Sequence, residues 1–123
     1  MKLVKIQSEL KAPKGQLNKF GNYRYRSAED IIEAAKPILH KYFCALVISD
    51  EVVQVGDRIY IKSSAFLIDE ETKETITMVH GWAREEEVKK GMDAAQITGS
   101  ASSYARKYAL NGLFAIDEIG RAS

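Results

Sequence analysis

Two short stretches of this chain combine residue types that could hold a polyanion. Tyr23-Arg24-Tyr25-Arg26 alternates phenol rings with guanidinium groups. Guanidinium groups grip phosphates and flat rings accept stacked bases, the pairing that single-strand binding needs. The same alternation also suits an ordinary strand with tyrosines inward and arginines in water. Farther on, Gly99-Ser100-Ala101-Ser102-Ser103 gathers small residues into a turn and a half of a predicted helix, and Arg106 and Lys107 follow at once. A phosphate could approach such a groove floor closely and meet positive charge. Tight packing between helices uses small residues in the same way, so both readings stand at this point.

Charge distribution favours a polyanionic partner. Residues 1–26 carry seven Lys/Arg against Glu9 alone, whereas the remainder carries eleven against sixteen acidic residues. The net charge of +1 hides this asymmetry, and a basic site is expected to begin at the N-terminus. Enzyme chemistry fares worse. The chain has no Gly-x-x-x-x-Gly-Lys-Ser/Thr, so no phosphate-binding loop for nucleotide is present. The serine cluster lacks the second glycine of a nucleophile elbow. His40 and His80 fall in different predicted elements and read as structural. Cys44, the single cysteine, excludes an intrachain disulfide and a thiolate-rich zinc site, and reads as core. Glu85, Glu86 and Glu87 with Asp93 could serve a metal-dependent nuclease, but no accompanying Asp or His pattern supports it. Neither cofactor nor metal is expected.

The elements that must position these residues are legible in outline. At 123 residues, 46% hydrophobic and 28% charged, the chain suits one folded domain over residues 1–123. Residues 1–22 are expected as a basic arm or loop, with 3–10 a short helix or an arm, 23–116 as the core and 117–123 as a tail. Ser27 can cap a helix with Asp30 at its third position, and Ile31, Ile32, Ala35, Ile38, Leu39 and Tyr42 recur at helical spacing. Pro37 should kink or divide that helix. From Ala45 the period changes to two, and runs at about 45–55, 58–69 and 75–84 predict an antiparallel meander. A charged connector, 85–92, leads to a second helix from a cap at Asp93 to about Phe114. Its Ile97, Ala101, Tyr104, Ala105, Tyr108 and Leu113 are expected on an apolar side. Gln96, Ser100, Ser103, Lys107 and Asn111 form a polar stripe, with Arg106 beside it. The fold class is thus α+β: an N-terminal helix, a three-stranded antiparallel meander, then a long helix. No apolar block suggests a signal peptide or membrane span, and a cytoplasmic location is expected, the bacterial host's if the chain is phage-encoded.

Gln96 through Ile116, running QITGSASSYARKYALNGLFAI, and Tyr23 through Ile31, running YRYRSAEDI, resemble the two signatures of the ERF (essential recombination function) family of phage single-strand annealing proteins. The resemblance covers about residues 3–116. It implies a β-β-β-α core related to the eukaryotic ring-forming annealing protein of double-strand-break repair, with the single strand in a groove floored by the helix after the meander. It further implies ATP-independent binding and annealing of single-stranded DNA by a homo-oligomeric ring or helical filament, with a single-strand-binding protein or an exonuclease as candidate partner. Carried onto this chain, it places Arg106 and Lys107 on the groove's basic pair and Arg26 near another phosphate contact; Arg24 in support, the flanking Tyr23 and Tyr25, and secondary contacts at Lys19, Lys73, Lys89 and Lys90 complete the expected DNA-binding set. Two departures stand out: Lys107 where many members have a second Arg, and Ala94 where a Pro is common. Family chains also commonly continue into a C-terminal region that contacts other recombination proteins, and this sequence stops short of it. The competing reading is a self-assembling interaction module without nucleic-acid activity. The DNA reading requires Arg106 and Lys107 to face an open basic channel and not to be locked against carboxylates.

Overall fold

In a computed structural model of the chain, residues 1–11, 16–18, 23–85, 94–116 and 119–121 are described, of which 16–18, 23–25, 94–98 and 119–121 are described by their backbone. The helix α1 (Lys2–Glu9) buries Ile6, and Leu10 just beyond it, four residues apart on one side. Both join the main core. Of the two readings of residues 3–10, a short helix or an arm, the structure has the helix, packed into the folded body. Its Lys2 is held by Asp69 and Glu71 at 2.9 and 2.5 Å.

The helix α2 (Ala28–Lys41) starts where the sequence says it should. Ser27 Oγ accepts from the Asp30 amide at 3.1 Å, and Asp30 Oδ2 accepts from the Ser27 amide at 2.9 Å. Two orphan donors of the first turn are thereby satisfied. Ile31, Ala35 and Leu39 are buried along one face. The helix runs unbroken through Pro37, so the expected division does not occur.

The meander consists of β3 (Cys44–Val55), β4 (Arg58–Asp69) and β5 (Thr75–Glu85), in the order β3-β4-β5, all antiparallel. Gly56 at φ 60° makes the two-residue hairpin turn, a backbone conformation that L side chains resist. Along β4, Ile61, Ser63, Ala65 and Leu67 are buried and alternate with less covered residues. The inner side of the sheet therefore meets the helices, and the outer side has no cover among the described residues. Across the inner side runs α3 (Ala94–Phe114), whose Ala101, Ala105 and Ala109 are buried at four-residue spacing. At Gly81 of β5 the approach is backbone to backbone: a Cβ there would collide with the Ala105 carbonyl and the Ala109 amide. Leu110, Leu113 and Phe114 continue into the core shared with α1 and α2.

A second small sheet was not anticipated. Three-residue strands β1 (Gln16–Asn18), β2 (Tyr23–Tyr25) and β6 (Ile119–Arg121) pair antiparallel in the order β1-β2-β6. Part of the expected loop before Asn22 and part of the expected tail are thus sheet. The anticipated cap at Asp93 and most of the 85–92 connector lie outside the described residues. No helix of the described residues is long and apolar enough to cross a membrane.

Candidate nucleic-acid interface

Arg26 leaves the end of β2 immediately before the cap of α2, and Lys107 lies more than three turns into α3. The fold brings them to one cavity of about 260 Å3, lined also by Ser27, Ala28, Glu29, Ser100, Ser103 and Tyr104. Both cations are largely covered: Arg26 is 7% exposed and Lys107 6%. Each has a further interaction within the molecule. The amino-terminal turn of α2 forms one wall, and the helix dipole favours an anion there. Glu29 on the same wall tempers that field. Two serine hydroxyls on α3 complete a set of donors suited to phosphate oxygens.

The rim carries an aromatic pair that sequence periodicity misplaced. Tyr104 and Tyr108 were expected on the apolar side of α3, yet Tyr104 is 51% exposed and Tyr108 is also at the surface. Their rings stack at 6.3 Å between centroids and 27° between planes. The reason lies in the opposite face: α3 meets the sheet through alanines, leaving no room there for large rings. A stacked, half-wet tyrosine pair beside buried cations is a surface on which a base can lie.

Arg106 takes a different direction from Lys107, as neighbours on a helix must, about 100° apart. Its Nε and Nη2 donate to Asp50 Oδ2 at 3.0 and 2.9 Å. Asp50 also accepts from Ser102 Oγ at 2.6 Å and, through Oδ1, from Ser63 Oγ at 2.6 Å. Desolvation pushes the Asp50 carboxyl up, but hydrogen bonds from Arg106, Ser102 and Ser63 outweigh it and hold it below its ordinary value. Arg106 is thus committed to a carboxylate on the sheet side of the helix, with 44% of its side chain still exposed. It does not share the cavity with Lys107, so the two neighbouring cations do not act as one pair. The serine-rich turn divides likewise: Ser102 and Ala101 face the sheet, Ser100 and Ser103 the cavity.

The remaining expected contacts scatter. Lys73, at φ 66° in the β4–β5 connection, pairs with Glu70 at 2.9 Å. Tyr23, Arg24 and Tyr25 lie on β2, which positions Arg26; Lys19, Lys89 and Lys90 lie outside the described residues. Asn111, the last of the polar stripe, is buried, and its amide nitrogen and oxygen find no hydrogen-bond partner among the described residues. Asp50 was missed by sequence reasoning, although an inward register position opposite Ser63 is an unusual place for a lone carboxylate. Among the described residues no cluster of His, Cys, Asp or Glu could hold a metal ion; Glu86, Glu87 and Asp93 of the nuclease reading lie outside them.

Comparison with known proteins gives two matches. The family model of the ERF superfamily matches residues 1–119. The essential recombination function protein of Salmonella phage P22 is 56% identical over 117 residues, covering 95% of this chain. The chain spans about half the length of that relative, 55% of it. No solved structure matches significantly.

Proposed function

This chain belongs to the ERF superfamily, and from that premise we propose that it serves phage homologous recombination by binding single-stranded DNA and annealing complementary strands without ATP. The observation that carries this reading is the convergence of Arg26 and Lys107 on one cavity beside the cap of α2, under the exposed Tyr104–Tyr108 stack. Phosphates enter between the two cations, and a base rests on the tyrosines. Arg106 contributes only through donors it does not spend on Asp50, and Arg24 supports from β2. The chain acts by alignment. A strand held extended along a fixed path searches register at lower entropic cost, and base pairing supplies the free energy. Assembly of copies into a ring or filament multiplies weak contacts along one strand.

The test is a titration of labelled oligonucleotide at several salt concentrations. Lys107→Gln removes the charge and keeps most of the side chain's length, and circular dichroism controls for folding. The expected result is about tenfold weaker binding and a salt slope shallower by about one unit, with Tyr104→Ala weakening binding without changing the slope. Unchanged affinity and slope in folded Lys107→Gln would remove the cavity from the reading.

A further inference from the structure

The outer side of the meander carries a second combination of rings and cations, well separated from the cavity by the thickness of the sheet and α3. Strand alternation places Arg58, Tyr60 and Lys62 of β4 on this side. The register sets Tyr60 opposite Arg84 and Lys62 opposite Trp82 on β5. Each ring therefore has a cation both along its strand or diagonal and directly across. Tyr60 and Trp82 pack edge to face, 6.5 Å between centroids and 78° between planes, an arrangement that steadies both rings. The Lys62 ammonium lies 5.4 Å from the centre of the Trp82 ring. Trp82 is nonetheless 47% exposed. Against these cations stands Glu51 of β3, 3.5 Å from Lys62. Arg58 and Arg84 are exposed and form no ion pair among the described residues.

We propose that this patch is a second binding surface for a single-stranded polynucleotide, with bases stacking on Trp82 and Tyr60 and phosphates meeting Arg58, Arg84 and Lys62. Charge complementarity selects this occupant over an apolar protein segment: three cations frame two rings, and only one of them is neutralised. Rings beside positive charge on one side of a sheet suit a strand without sequence preference, because every base offers a flat face. The inference rests on the reading of the chain as a single-strand binder, but it uses none of the cavity's residues. It gives one protomer two places for a polynucleotide, on opposite sides of its body.

Trp82 is the only tryptophan in the chain, so its emission reports this surface directly. The experiment titrates the whole chain with unlabelled oligothymidylate while reading tryptophan emission, and in parallel reads anisotropy of the same oligonucleotide carrying a label. Expected is saturable quenching that salt reverses and that persists in the cavity-rim variant Tyr104→Ala/Tyr108→Ala. In Arg58→Glu/Arg84→Glu, the quenching midpoint should shift by about tenfold or more while cavity binding remains visible by anisotropy. Anisotropy that reports binding with Trp82 emission unmoved overturns this inference and leaves the cavity intact. Emission that depends on protein concentration and ignores oligonucleotide also overturns it, and marks the patch as a contact between copies. Absence of binding in both readouts takes down the cavity reading together with this one.

Discussion

Removing the Asp50 carboxylate should cost more than its place on an edge strand suggests. In Asp50→Ala, Arg106 loses a partly exposed ion pair, which is worth roughly 0.2–1 kcal/mol after solvent screening. The larger loss is at Ser63, fully buried on β4, whose hydroxyl donates to Asp50 at 2.6 Å. Left without an acceptor, a buried hydroxyl costs about 1–3 kcal/mol. Together these give about 2–3 kcal/mol, a fall in thermal midpoint of roughly 8–12 °C for a domain of this size. Urea unfolding followed by circular dichroism measures it. The mechanism makes a sharper claim: adding Ser63→Ala to Asp50→Ala should recover about half the loss, because deleting both partners removes the orphaned donor. A single variant within about 0.5 kcal/mol of the parent, or a double variant less stable than Asp50→Ala, would refute the accounting.

Gly81→Ala should be among the most damaging single changes, about 3 kcal/mol or more, since the new methyl meets the backbone of Ala105 and Ala109 and neither can give way; failure of the variant to unfold earlier in urea would contradict that contact. Asn111→Leu should raise stability by about 1 kcal/mol by removing a buried amide with no partner among the described residues, checked by thermal melting. Acid should weaken the fold through Asp50. Its folded value lies below the ordinary one, so its contribution is complete above the unfolded value and fades as pH falls through the lowered one. The parent should therefore lose stability more steeply than Asp50→Ala on acidification below the ordinary Asp range, as paired pH-dependent melts will show.

What the sequence discloses about this molecule follows from how local each cause is. The meander was readable because period-two alternation and Gly56-Asp57 act over a few residues, and the start of α2 because a capping box spans only Ser27 to Asp30. The strands β1 and β6 were not, since each has three residues and exists only through pairing with β2 from distant positions. Tyr104 and Tyr108 were assigned to the wrong side of α3 because aromatic rings usually mark the buried face, whereas here alanines and Gly81 make that face. Lys107 and Arg26 each stand out in the sequence, but their meeting at one cavity depends on how α2 docks against α3. The separation of Arg106 from Lys107 turned on Asp50, a residue that no local pattern distinguished.

The contact at Gly81 has a mechanical corollary. Most helices rest on their sheets through a cushion of side chains that can switch rotamers and let the layers slip. Here main chain bears on main chain, so α3 and the meander must travel as a solid plate. Loading the helical side of that plate cannot be relayed by sliding, and a ligand on either side is held at a constant offset from the other.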